Sequence, residues 1–316
     1  MERLFSNAQM EGNKMNSQNY RLLFKLPAVQ KRAKTFTLTI VCIASTFAVT
    51  AHAQTNAPAV SGFNGKLDYA GGNMDSHEGN VFDASFTLPV THQTGFQADG
   101  LYSRVSDFNF YGGGGHVFWR DPNIGLLGLT GGYLYRTGVD TYQVGAEGEY
   151  YLGRFTFGAF AGVGSINYAN PAPFIDTNPT RFVGRISADY YPLNDLRIGT
   201  SYTTAFRENL AKGELEYQTP IRGLALTAEV SCGSYGYHDY LFGIRYYFGG
   251  KKTLRDRQRQ DDPPGLMRQI LSGMGLYGAE FNHKGNEYLL AHPGSGSLGG
   301  GYGLGMFPIG SNPPPF

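Results

Sequence analysis

Few residues in this sequence have both the type and the spacing that chemistry requires. Beyond residue 53 the histidines are His77, His92, His116, His238, His283 and His292. A hydrolytic site needs a histidine within reach of a nucleophile, with a third group to orient it. Only His116 falls inside a segment with a strand-like pattern, and no serine motif accompanies it. A lumen or interface histidine is the plainer reading, with a lipid-modifying catalyst built on His116 as a weak third alternative. Gly112 to Gly115 and Gly299 to Gly305 resemble phosphate cradles in composition. Neither sits between a strand and a helix with a following Lys and Ser/Thr. Asp261-Asp262 runs into two prolines rather than the glycine-turned ligand series of a calcium loop. No Cys/His cluster has zinc spacing. The sequence therefore leads us to expect no metal, no cofactor and no enzymatic activity.

The charged residues that remain recur at alternate positions. Glu147 and Glu149, Arg181 and Arg185, Glu214 and Glu216, and Arg245 each stand opposite an apolar neighbour. Such a period of two belongs to strands with one apolar and one polar face. It governs the chain from residue 62 to 248. Phe82, Ala84, Phe86 and Leu88 alternate with Val81, Asp83, Ser85 and Thr87, Phe96, Ala98, Gly100 and Tyr102 with Gln97, Asp99, Leu101 and Ser103, and Tyr240, Phe242, Ile244, Tyr246 and Phe248 with Leu241, Gly243, Arg245 and Tyr247. About twelve such segments fit, at roughly 16 residues per strand with its connection, the spacing of a membrane barrel.

A β-sandwich has the same period, so the aromatic residues decide. Tyr69, Tyr102, Tyr150, Tyr190, Tyr202, Tyr217, Tyr240 and Phe248 end the apolar faces, where a membrane barrel places its interfacial girdles. The expected fold is all-β: a single antiparallel transmembrane β-barrel. The seven charged residues named above are then lumen-lining, and acidic and basic groups can pair across a narrow bore. The outer face meets outer-membrane lipid, and small solutes or ions are the candidate passengers.

Residues 1–53 read as a signal peptide. A basic stretch with Lys25, Lys31, Arg32 and Lys34 precedes the apolar run Thr35 to Val49, and Ala51-His52-Ala53 offers small residues for cleavage. Their removal takes seven of 26 basic and two of 25 acidic residues, leaving a net charge near −4. No nucleic-acid footprint remains. One cysteine, Cys232, survives, so no intrachain disulfide can form. No mature segment holds the roughly 20 consecutive apolar residues of a membrane helix.

The predicted organisation is a signal at 1–53, a lead at 54–61, the barrel at 62–248 and a tail at 249–316. Connections alternate between tight turns, as at Tyr191 to Asp195, and the long stretch Asn167 to Thr180. Short turns mark the periplasmic side in such barrels, so both barrel termini are expected there. The runner-up function is adhesion through the extracellular loops Asn167 to Thr180 and Asp75 to Asn80. The tail begins with Lys251, Lys252, Arg255, Arg257 and Arg259 and turns Gly/Pro-rich. It is expected to be periplasmic and finally disordered, with contact to an anionic partner or insertion into the lumen as a plug as alternatives.

Gly243-Ile244-Arg245-Tyr246-Tyr247-Phe248-Gly249-Gly250, followed by Lys251 to Arg255 and then Asp261-Asp262-Pro263-Pro264, resembles the last strand and exit of uncharacterised proteobacterial outer-membrane barrel proteins of porin-like type. The resemblance spans the signal and residues 62 to about 264. It implies a bacterial outer-membrane location and recognition by the barrel assembly machinery, while the charged lumen positions of both signs and the strand number point to a non-enzymatic barrel, either a narrow passive channel or a structurally plugged barrel. In such proteins the machinery reads an aromatic residue ending the last strand. Phe248 has that context but is internal, and Phe316 follows three prolines and cannot close a strand.

Overall fold

A computed structural model describes residues 57–169, 172–263 and 265–291. The expected signal peptide and the Gly/Pro-rich residues from 292 onward lie outside the described residues. Twelve strands follow in order. They are β1 (Asn64–Met74), β2 (His77–Pro89), β3 (Thr94–Val105), β4 (Phe108–Asp121), β5 (Gly125–Arg136) and β6 (Val139–Leu152). The second half comprises β7 (Phe155–Tyr168), β8 (Thr180–Leu193), β9 (Leu196–Ala205), β10 (Glu208–Gln218), β11 (Leu224–Gly233) and β12 (His238–Phe248). Each strand pairs antiparallel with its neighbours in sequence. β1 closes on β12, with Gly65 opposite Phe248 and Met74 opposite Asp239. Closure leaves no unpaired edge, which is what makes a sheet compatible with lipid.

Alternation decides which side each residue faces. On β12, Tyr240, Phe242, Ile244, Tyr246 and Phe248 are exposed outward, whereas Asp239, Leu241 and Tyr247 are buried inside. All eight aromatic residues predicted for the girdles lie exposed on the outer face. Tyr102, Tyr111 and Tyr135 stand side by side in register near one rim, and Phe155 faces Tyr190 near the other. An apolar exterior with aromatic bands around a polar interior is the membrane arrangement, so the chain is a transmembrane β-barrel.

The connections differ from the expected alternation. On the rim away from the barrel termini, four of the six are two-residue turns: 75–76, 106–107, 137–138 and 206–207. Asp75 and Ser76 both adopt positive φ (49° and 70°), as do Phe206 and Arg207 (58° and 82°). That is the geometry matching a tight turn to the right-handed twist of the strands. The expected loop Asp75 to Asn80 is therefore only a turn, and His77 to Asn80 begin β2. The 169–179 connection is long, as expected. The terminal rim has short connections throughout. One irregularity interrupts the β8–β9 pairing between Tyr190 and Leu193, where Pro192 has no N–H to give the ladder.

The first part of the tail, through Ala291, is helical, whereas the Gly/Pro-rich part for which disorder was expected lies outside the described residues. Two helices follow the barrel, α1 (Leu254–Gln260) and α2 (Leu266–Ala291). Thr253 caps α1 by accepting from the Asp256 N–H. In α2, Leu266, Ile270, Met274, Tyr277 and Phe281 recur at intervals of three and four, the period of an apolar helix face. All five are buried. Among the described residues no helix is long and apolar enough to cross a membrane by itself. α2 does not face lipid, because it runs inside the barrel.

Candidate functional site

The lumen is the concave, polar, enclosed part of this molecule, and three parts of the chain shape it. The first is a lid at the terminal rim. Arg259 donates to the carbonyls of Gly153 (3.1 Å) and Phe155 (2.7 Å) and to Thr156 Oγ1 (3.2 Å). Arg257 donates to the carbonyls of Phe248 and Gly250. The backbone N–H groups of Leu254 and Arg255 donate to Asp195 Oδ1 and the Asn194 carbonyl. The guanidiniums of Arg257 and Arg259 also lie over the Tyr247 and Tyr151 rings, 4.8 and 5.1 Å from their centroids. The basic run at the start of the tail thus fastens α1 across the mouth.

The second part is an apolar groove. Inward positions of β4 and β5 carry Gly112, Gly114 and Gly132. A Cβ at Gly112 would fall 2.4 Å from Met267 Cε, and one at Gly132 would fall 2.9 Å from Ile270 Cδ1. These glycines let α2 approach the sheet closely. Around them Leu101, Phe110, Leu134, Val139 and Phe160 join Met267, Ile270, Leu271 and Met274 in one buried cluster. The glycine-heavy fourth strand is accordingly a docking floor for the helix.

The third part is an ionic wall. Arg245 donates to Asp68 Oδ2 (2.5 Å) and Glu216 Oε2 (2.8 Å). Arg197 donates to Asp189 Oδ1 and Glu214 Oε2, both at 2.8 Å, and Lys212 pairs with Glu229 at 2.6 Å. Arg268 of α2 completes the wall: it pairs with Asp83 and with Asp68 (2.5 Å), and its Nη1 lies 3.6 Å from Glu229 Oε2. Buried ions keep their charge only when paired in this way. Between wall and helix remains a cavity of about 160 Å³, lined by Arg185, Ser187, Asp189, Glu214, Arg268 and Ser272 among others.

Most of the expected lumen residues meet here. Glu214, Glu216 and Arg245 belong to the ionic wall. Arg185 lines the cavity, and its Nε has no hydrogen-bond partner among the described residues. Glu149 lines the same cavity and accepts from the Tyr151 hydroxyl at 2.8 Å. Glu147 sits apart with His116. Arg181 faces inward at the far rim, where it pairs with Asp176 of the 169–179 loop at 3.0 Å. Asp68, Asp83 and Lys212 were not singled out from the sequence, although their alternation gave the same signal. Arg268 carried no such signal, because it acts from a helix.

His116 is buried with both ring nitrogens 2.7 Å from carboxylates, Nε2 from Asp99 and Nδ1 from Glu147. Gln97 extends the chain of bonds from Asp99 to Thr87. Neither ring nitrogen is left for a nucleophile, so the arrangement is that of a structural clasp between β3, β4 and β6. No group of His, Cys, Asp and Glu among the described residues has metal-site geometry.

No protein-family model and no curated protein matches this chain. Among solved structures it is similar to a KdgM porin in complex with disordered oligogalacturonate, at 13% identity and a TM-score of 0.46, covering 58% of this chain and 99% of that one. It is similar also to a NanC porin, at 12% identity and 0.44, covering 57% of this chain and 98% of that one. A third such structure is the Acinetobacter baumannii outer membrane protein Omp33, at 14% identity and 0.39, covering 59% and 98%.

Proposed function

We propose that this chain is a non-enzymatic, porin-like barrel of the bacterial outer membrane whose bore is closed at rest by its own C-terminal helix. The observation that carries the reading is the seat of α2 in the lumen, with Met267 and Ile270 against a glycine floor and Arg268 among three carboxylates. Export by the segment at 1–53 and insertion by the assembly machinery, with Phe248 ending the last strand, accord with a barrel of this kind. The position of the longest connection, 169–179, on the rim away from the termini supports periplasmic barrel termini. The two-residue turns on that same rim offer little surface for adhesion through loops.

Conductance in planar bilayers tests the reading. Full-length protein is expected to pass small, infrequent currents, and the full-length Ile270→Asp variant, which places a carboxylate in the apolar groove, larger and sustained ones. Heat-modifiable gel mobility verifies that both barrels are folded. Equal large currents from the two proteins would show that α2 does not block the bore. Ion-tight bilayers from both would leave a structural barrel without a channel.

A further inference from the structure

The two ends of the described chain lie toward opposite rims. Near the terminal rim, Gln260 donates to the Pro58 carbonyl and Lys66 pairs with Asp262. From there the chain turns into the lumen, and α2 begins at Leu266. Its later turns meet elements of the other rim. Tyr277 donates to the Asp176 carbonyl, and its ring lies 5.6 Å from that of Phe206 in the 206–207 turn. Phe281 packs on Phe174 of the 169–179 loop at 5.1 Å, Tyr288 reaches the same Phe174 at 5.7 Å, and His283 meets Tyr235 of the 234–237 connection at 4.9 Å. Burial follows the same course. The residues from Leu266 to Phe281 that face the groove are buried, whereas Asn286, Glu287, Leu290 and Ala291 are exposed, Leu290 at 78%. A helix of 26 residues is about 39 Å long, more than the ~25 Å apolar band of a barrel. It therefore rises from within the bore and projects beyond the far rim.

We infer that this barrel carries its own C-terminal helix through the membrane and presents the end of α2, at Asn286 to Ala291, on the face opposite its barrel termini. Four of the six connections on that face are two-residue turns, so the projecting end of α2 and the 169–179 loop are its prominent relief. The transit holds whichever way the barrel is oriented. Only the statement that this face is the cell exterior rests on the orientation proposed above.

Single reporter cysteines in full-length protein, in a Cys42→Ala, Cys232→Ser background, separate the transit from the orientation. Asp107→Cys marks the far rim, Arg222→Cys the terminal rim and Asn286→Cys the end of α2; all three sites are exposed or partly so. Intact and lysed cells are treated with a membrane-impermeant maleimide, and heat-modifiable mobility checks each barrel. The expected result is labelling of the Asn286→Cys and Asp107→Cys proteins in intact cells, with the Arg222→Cys protein labelled only after lysis. If only Arg222→Cys reacts in intact cells and the other two react together after lysis, the transit stands and the proposed orientation falls. Asn286→Cys reacting in step with Arg222→Cys, or staying unlabelled even after lysis, overturns the transit.

Discussion

Along β3 to β7 the wall under α2 is built of Gly112, Gly114 and Gly132 with Leu101, Phe110, Leu134, Val139 and Phe160, and its polar groups Asp99, His116 and Glu147 bind one another, whereas β8 to β12 together with β1 and β2 present carboxylates and guanidiniums. A bore that served water alone would be polar all round. Instead, Leu101, Phe110, Leu134 and Phe160 point inward and are buried in one cluster with Met267, Ile270, Leu271 and Met274 of α2. Exposing such surface costs about 25 cal/mol per Å². The apolar wall is thus a seat made for the helix, and the ionic wall could be hydrated with or without it. The comparison teaches that the plug is part of the fold, and that the two walls hold it by forces of different kind.

The largest effect is expected where the ionic wall meets the helix. Arg268→Ala leaves Asp68, Asp83 and Glu229 without their shared cation, and breaking a buried pair from one side costs about 3–5 kcal/mol. The adjoining cavity admits some relief, so the lower end of that range applies. Undocking should appear as protease cleavage within α2 and as raised conductance, in a barrel that keeps its heat-modifiable mobility. Adding Asp83→Asn to Arg268→Ala should recover part of the loss. If Arg268→Ala leaves α2 as resistant to protease as before, the ionic wall does not hold the helix.

Much of this architecture was legible in the sequence, and the parts that were not share a cause. The strands could be read because lipid outside and polar groups inside impose a strict alternation, as on β12 from His238 to Phe248. Glu214, Glu216 and Arg245 were placed in the lumen by that same parity. The rule failed where a lumen residue is apolar for the sake of a third element. Gly112, Gly114 and Gly132 carried no such signal, because nothing local names their partner. The partner itself was disguised: α2 contains Gly273, Gly275, Gly278 and Gly285, which lower helix propensity, and it runs toward a Gly/Pro-rich end. The spacing from Leu266 to Phe281 was the signal available. Loop length also misled, since Asp75 and Ser76 make a two-residue turn without a glycine.

A smaller effect is expected at the apolar wall, and it can be set directly against the ionic one. Gly132→Leu drives a side chain into the space held by Ile270, Met267 and Leu266, and overpacking of this sort costs about 1–3 kcal/mol. Ser187→Leu adds comparable bulk on the opposite side, where it enters the cavity rather than the helix seat. Gly132→Leu should therefore loosen α2 and raise conductance, while Ser187→Leu should leave α2 protected and narrow whatever current passes. Equal behaviour of the two variants would mean that the walls are not specialised.

The smallest effect belongs to the part of α2 that has left both walls. Lys284 pairs with Glu280 one turn earlier on a partly exposed helix surface. Such a pair contributes about 0.2–0.5 kcal/mol. Lys284→Ala should leave conductance unchanged and should alter protease sensitivity only slightly, because the Lys284–Glu280 pair lies within the helix and joins it to neither wall. If it opened the channel as Arg268→Ala is expected to, the helix would be held at the far rim rather than by the walls. The contrast between glycine floor and ionic wall would then describe how the helix is lined, not what keeps it in place.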